Sequence, residues 1–173
     1  MKFSGKKKQQ GVGLIEVLVA MLVLAIGVLG YAAMQLTALK SSEDANNRAQ
    51  ATLLAQGALE SFFANEVAMA TYMDVDNWPD DGVAPGAALG SLKDCIDSFC
   101  DAAGMADWDI EVLAWQAGNL LPGGRIAVDD CQHAAAISCV SVSWNQQTPE
   151  DCLTNTGVNT DEGTSCVVME VAR

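Results

Sequence analysis

The sequence predicts an α+β protein in which a long N-terminal α-helix packs on a small antiparallel β-sheet. Three observations predict this fold class. Residues 17–39 contain no charged side chain and are mostly Val, Leu, Ala, Ile and Met. An apolar stripe with helical spacing follows within residues 51–62. After Pro122, short valine-rich runs alternate with turn residues, which is typical of strands.

The charges divide the 173-residue chain into two parts. Four of its nine basic residues precede the apolar run, at Lys2, Lys6, Lys7 and Lys8. Without these four, five basic side chains face 22 acidic ones, a formal charge of −17. A body this acidic repels phosphate backbones, which argues against nucleic acid as a partner.

The apolar run is long enough to cross a membrane, since about 20 apolar residues of helix span the hydrocarbon core. The lysines before it are expected to stay cytoplasmic, which places the body in the periplasm. A secretory signal peptide would have a shorter apolar core. A plain single-pass anchor leaves Glu16 unexplained, because a carboxylate at the edge of the bilayer is costly unless it is paired.

The residues around Glu16 resemble the class III signal of type IV pilins and pseudopilins. Gly11-Val12-Gly13-Leu14-Ile15-Glu16 follows the lysine-rich stretch and precedes the apolar run. The resemblance implies that prepilin peptidase cuts between Gly11 and Val12, that Val12 becomes N-methylated, and that Glu16 is retained as the fifth mature residue. It also implies that Glu16 pairs with the freed amine of a subunit and so sets the axial register, since opposite charges attract strongly where the dielectric constant is low.

The chain differs from the family pattern in two respects. Many members have Phe at the first mature position, where this chain has Val12. Major pilins often carry a proline midway through the apolar helix, and here Gly27 and Gly30 stand in that region instead. These glycines either weaken the helix locally or allow close helix–helix packing, and both interpretations stay open.

No proline occurs before Pro79, so the helix is predicted to run from about Val12 to about Tyr72. The apolar face of its second half consists of Ala51, Leu54, Ala55, Ala58, Leu59 and Phe62. The helix also resembles that of the minor pilin V family, the type IV pilus modification proteins. The residues that carry this resemblance are Gln35-Leu36, Leu39, Ser41-Ser42, Ala45, Arg48-Ala49-Gln50-Ala51 and Leu53-Leu54-Ala55. The likeness extends more weakly to Leu120-Leu121-Pro122-Gly123-Gly124 and to Cys139-Val140-Ser141-Val142-Ser143-Trp144.

The body is predicted to begin with a turn-rich loop at residues 74–91, followed by a helix at about 107–120. Three strands are predicted after it, at residues 125–129, 136–145 and 165–172, and their short connections suit antiparallel pairing.

Six cysteines, all downstream of the apolar run, predict three disulfides in an oxidising compartment. Their spacing leaves 15 pairings open. The preferred one joins nearest neighbours, Cys95–Cys100, Cys131–Cys139 and Cys152–Cys166, and exchange between the first two pairs is the main alternative.

Few residues suggest an enzyme, a metal site or a cofactor. His133, the only histidine, is more readily a surface residue than a metal ligand. The acidic run from Asp74 to Asp81 lacks the glycine of a calcium loop. Core or interface roles are preferred over adhesive ones for Trp78, Trp108, Trp115 and Trp144. We therefore expect no catalytic activity, no cofactor, no metal and no small-molecule substrate.

The resemblance implies a minor pilin that helps to initiate or prime a type IV pilus from the bacterial inner membrane. Its expected partners are other minor pilins, the major pilin, prepilin peptidase and the membrane itself. The expected organisation is a removed leader at residues 1–11, a membrane and filament-core helix at 12–39, an amphipathic continuation at 40–72 and a periplasmic body at 73–173. The alternatives are a pseudopilin of a type II secretion system and a membrane-anchored adhesin or binding module.

Overall fold

The computed structural model describes residues 13–89, 95, 97–131, 136–161 and 163–172. The chain divides into two compact units, with the boundary between Glu43 and Asp44. Within the described residues, the first unit is helical from Leu14 onward. The second unit contains all the strands and the buried core.

Helix α1 (Leu14–Ala64) provides one wall of the core in the second unit. The predicted apolar stripe is buried there at Ala51, Leu54, Ala55, Ala58 and Phe62, while Leu59 is half-buried. Alanine at three of these positions lets the helix approach its neighbours closely and costs no side-chain entropy in the helix.

The prediction of one unbroken helix to Tyr72 is wrong at its C-terminal end. α1 ends at Ala64, a 3₁₀ turn follows at Glu66–Ala68, and helix α2 covers Met69–Tyr72. Asn65 has a non-helical backbone (φ −128°, ψ 56°), and its side-chain amide donates to the carbonyl of Ala102 (2.8 Å). This tertiary hydrogen bond stabilises a break that no proline or glycine marks in the sequence.

Helix α3 (Ala102–Leu120) begins five residues before the predicted start at residue 107. The side chain of Asp101 caps it by accepting a hydrogen bond from the backbone N–H of Gly104 (2.8 Å). The helix leads into the Pro122-Gly123-Gly124 turn, where Gly123 has φ +64° and lies against the carbonyl of Asn145. A side chain on Gly123 would clash there, so glycine is required at this turn.

The sheet is antiparallel and three-stranded, in the order β1 (Arg125–Asp130), β2 (Ile137–Ser143), β5 (Cys166–Ala172). The three strands match the predicted ones to within two residues. A two-stranded hairpin, β3 (Leu153–Thr154) and β4 (Gly157–Val158), was not predicted, because two-residue strands carry no periodic signal.

Alternation along β1 and β2 separates the two faces of the sheet. Ile126 pairs with Val142 and Val128 with Val140, and these four side chains join the helices in one core. The opposite face carries Ala127 and Asp129 on β1 and Cys139, Ser141 and Ser143 on β2. All the β2 side chains from Ser138 to Ser143 are buried, so this second face is covered as well.

Candidate functional site

The first unit presents a continuous apolar surface that no other described residue covers. Leu14 is 80 % exposed, Leu24 69 % and Met34 74 %, and none of the most apolar 18-residue window is buried. A soluble core helix would be mostly buried, so that explanation does not apply to these residues. By length and composition, the described segment is long and apolar enough to cross a membrane, and exposed apolar patches of this size mark surfaces that contact lipid or protein.

Glu16 lies in the first turn of α1, where its backbone N–H donates to the carbonyl of Gly13 (3.0 Å). It is exposed and is the only charged side chain between residues 13 and 39. The next basic residue along the helix is Lys40, 24 residues further, which is about 36 Å at 1.5 Å per residue. Within the described part of the helix, no cation is near enough to pair with Glu16.

A carboxylate in the first turn also interacts favourably with the positive end of the helix dipole. That interaction is worth at most about 1 kcal/mol at an exposed position, less than the few kcal/mol that an unpaired acid costs in a bilayer. The helix terminus alone therefore does not compensate for Glu16 at a membrane boundary. Gly11 and Val12, the expected cleavage site, lie outside the described residues, as does His133.

Arg48 connects α1 to the last disulfide loop. Its Nη1 donates to the carbonyl of Cys166 (3.3 Å) and its Nη2 donates to the carbonyl of Thr164 (3.1 Å). No contact between Arg48 and the body was predicted from the sequence. Its partners lie 116 and 118 residues away, so no local pattern could have revealed them.

The cysteines form three disulfides in the structure, namely Cys95–Cys100, Cys131–Cys139 and Cys152–Cys166. These are the nearest-neighbour pairs preferred from the sequence. The second joins the end of β1 to β2, and the third joins the start of β5 to the 3₁₀ turn at Glu150–Cys152. Each disulfide therefore links cysteines that are near neighbours in the sequence and closes a short loop.

The last residue of α2 is a buried tyrosine that connects this helix to Asn65 and to α3. Tyr72 is fully buried; its hydroxyl donates to Oδ2 of Asp109 on α3 (2.5 Å) and accepts from the amide of Asn65 (3.4 Å). Burial, and then the hydrogen bond to Asp109, raise the pKa of Tyr72 well above its usual range. The network fixes the helical turns after the break at Asn65 to the rest of the body.

The tryptophans have mostly structural environments. Trp78 and Trp144 are buried, and Trp108 and Trp115 are half-buried. The indole of Trp115 donates to the carbonyl of Ala87 (2.6 Å), which fastens the loop before α3. Among the described residues, no group of three or more histidine, cysteine or acidic side chains could hold a metal ion.

Two family models match the chain. The model described as a prokaryotic N-terminal methylation motif matches residues 6–32, and the model of type IV pilin Tt1218 matches residues 33–111. The first match includes Gly11, Val12 and Glu16; the second runs from within α1 into α3. No curated protein and no solved structure matches the chain. The two matches support a type IV pilin-like chain, and the fold is the α+β arrangement expected of one.

Proposed function

We propose that this type IV pilin-like chain is a minor pilin, a structural subunit that takes part in initiating a type IV pilus. One observation carries the proposal. Glu16 is the only charged side chain between residues 13 and 39, the exposed apolar part of α1, and it lies within the matched methylation motif. A freed α-amine at Val12 of a neighbouring subunit would supply the positive charge that the described helix lacks near Glu16, and each charge would offset the cost of the other.

The charge of the body favours a minor subunit over a self-assembling major one. Without the leader, each copy carries a formal charge of −17. Bodies this acidic repel one another at the short distances within a filament, and salt only partly screens the repulsion. A chain of this kind is better placed among less acidic partners, which in this proposal are other minor pilins and the major pilin.

The proposal assigns a role to each part of the chain. Residues 1–11 are a leader that prepilin peptidase removes, and residues 12–39 anchor the subunit in the inner membrane before assembly and pack in the filament afterwards. Residues 40–72 join this anchor to the body, as the second half of α1 and the turns up to Tyr72. Residues 73–173 form the rest of the periplasmic body. The similarity of residues 35–55 to the minor pilin V family supports the initiating role, near the pilus tip.

Intact-mass analysis of the membrane-extracted protein tests the processing step. The expected mature chain begins at N-methylated Val12. Gly11→Val should block cleavage, because the peptidase is expected to require glycine at that position. Gly13→Val is the matched control: among the described residues, a Cβ at Gly13 meets Ile15 alone, at 3.8 Å, so processing should proceed.

A wild-type chain that keeps its lysine-rich leader would instead indicate a membrane-anchored binding module. Cleavage after residue 39 would indicate an ordinary secreted protein. A type II secretion pseudopilin shares the expected processing, so loss of pili, but not of secretion, on gene deletion distinguishes the pilus role.

A further inference from the structure

A cavity of about 270 Å³ lies on the second face of the sheet, away from the core. Its floor is Ala127 of β1 with its strand partner Ser141 of β2, and the rest of its lining comes from Asp129 of β1, from the turn at residues 75–80 and from residues 148–150. Pockets for small molecules usually measure about 300–1,000 Å³. This cavity is slightly smaller, so it suits one side chain better than a cofactor.

The rim of the cavity is acidic. Asp80, Asp129 and Glu150 come from three different segments and all line it, and none of its lining residues is basic. Arg125 lies two residues before Ala127 on the same strand, but its guanidinium is already engaged by the carbonyl of Gln147 (3.3 Å). The described residues contain no metal-binding group of three or more ligands, so the rim suits an organic cation.

At the floor of the cavity, Ser141 has a hydroxyl without a partner. Its side chain is 1 % exposed, and its Oγ makes no hydrogen bond in the described structure. Buried hydroxyls are nearly always hydrogen-bonded, because leaving one unpaired is costly. The unpaired Ser141 is an observation independent of the acidic rim, and it indicates that a polar group belongs in the cavity.

The remaining walls are apolar, with Val75, Trp78, Pro79 and Pro149 among them. An occupant with an aliphatic stem and a cationic end would pack its stem on these walls and place its charge at the carboxylates. Lysine has this form. Its ammonium group has three donors that can rotate towards acceptors in different segments. The planar guanidinium of arginine is instead best suited to one carboxylate, which accepts two parallel hydrogen bonds from it.

We propose that this cavity receives one lysine side chain from a basic partner protein. A second copy of this chain is a poor partner, because both bodies are strongly acidic. In the complex, the ammonium group donates to carboxylates of the rim and to Oγ of Ser141, while the stem covers the wall formed by Trp78. The proposal does not depend on the assembly role of Glu16.

NMR titration of the full-length protein in detergent micelles tests this proposal. The probe is Nα-acetyl-lysine-N-methylamide, and the signals are the indole N–H of Trp78 and the backbone amide of Ser141. Saturable shifts of both signals are expected. The uncharged norleucine analogue should produce none, and the arginine analogue should bind more weakly than the lysine probe.

Variants separate the site from general charge attraction. The double substitution Asp129→Asn with Glu150→Gln should weaken binding of the probe roughly ten- to hundredfold, the effect of losing charge-assisted hydrogen bonds. Glu60→Gln, on α1 and not part of the cavity lining, is the matched control and should leave binding unchanged.

The variant Ser141→Ala tests the site in a protein that is expected to fold normally. It removes an unpaired buried hydroxyl, so the fold should be as stable as before or more stable, while the probe binds severalfold more weakly. Absence of saturable shifts, equal shifts with the norleucine analogue, or unchanged binding in the double variant would overturn the proposal. Tighter binding of the arginine analogue would overturn the assignment of lysine.

Discussion

The guanidinium carbon of Arg48 lies 5.5 Å from the ring centre of Trp144. Trp144 is fully buried and directly follows the last residue of β2, and Arg48 is on α1, where the same guanidinium donates to the carbonyls of Thr164 and Cys166. One side chain therefore joins the helix to the central strand and to the last disulfide loop. This contact adds a cation–π interaction to two charge-assisted hydrogen bonds.

Replacing Arg48 should destabilise the body. Arg48→Ala removes all three interactions and is expected to lower the free energy of unfolding by about 2 kcal/mol. Arg48→Lys should lower it by about 1 kcal/mol, because a single ammonium group does not reproduce the two hydrogen bonds that the guanidinium donates to the two carbonyls. Guanidinium denaturation in detergent, followed by tryptophan fluorescence, measures both values.

Lys40→Ala is the control for Arg48, since it removes a positive charge from α1 at an exposed position outside the body. It should change the free energy of unfolding by less than about 0.5 kcal/mol. Equal effects of Arg48→Ala and Lys40→Ala would show that net charge, and not the contact with the loop, is responsible.

Tyr72 is expected to make the stability of the body fall at high pH. Its hydroxyl is buried and donates to Asp109, so its pKa is higher in the folded chain than in the unfolded one. Above the unfolded value of about 10, the unfolded state has lost this proton and the folded state still holds it. Stability should therefore fall by about 1.4 kcal/mol per pH unit from about pH 10 upward, until Tyr72 ionises in the fold.

The two tyrosines of the chain provide a matched pair for this test. Tyr72→Phe should lower the free energy of unfolding by about 1–2 kcal/mol at pH 7 and should remove its contribution to the decline above pH 10. Tyr31→Phe, on the exposed apolar part of α1, should keep the decline. Denaturation curves between pH 7 and pH 11 measure the free energy of unfolding of each variant. If it declined with pH in Tyr72→Phe as it does in the wild type, the assignment to Tyr72 would be contradicted.

Two helical glycines should respond in opposite ways to alanine. A Cβ on Gly118 of α3 would lie 2.0 Å from the carbonyl oxygen of Val83, so Gly118→Ala should destabilise the body by about 3 kcal/mol or more. A Cβ on Gly57 of α1 meets nothing within 4 Å, so Gly57→Ala should stabilise the helix by about 0.5–1 kcal/mol. Thermal unfolding of both variants measures the difference, and a stable Gly118→Ala variant would contradict the close approach of α3 to Val83.

The parts of the fold that follow from local pattern were predicted from the sequence. The stripe from Ala51 to Phe62 is buried because helical spacing puts those residues on one face. The paired valines of β1 and β2 follow from the alternation along strands. The role of Glu16 stays a prediction, which rests on its position at the start of an uncharged apolar run and on the resemblance of the residues around it.

The features that were missed depend on contacts between distant residues. The break at Asn65 is stabilised by a hydrogen bond to Ala102, and the bonds of Arg48 reach residues more than 100 positions away. The start of α3 at Ala102 was also missed, but here a local signal exists. Asp101 is a residue type that favours the N-cap position, so the sequence alone could have located the start of the helix. The cavity beside Ser141 combines four segments, and no spacing rule connects them.

The amount of this protein in sheared, purified pili tests the central claim most directly, and Glu16→Gln is the decisive variant. The wild-type chain should be present in the pili and should begin at N-methylated Val12. Glu16→Gln should be processed and found in the membrane but reduced roughly tenfold or more in the pili, because the neutral amide cannot offset the charge of a neighbour's amine. Glu43→Gln, at another exposed glutamate of α1, should be incorporated like the wild type. Wild-type protein absent from pili, or Glu16→Gln present at the wild-type level, would contradict the account.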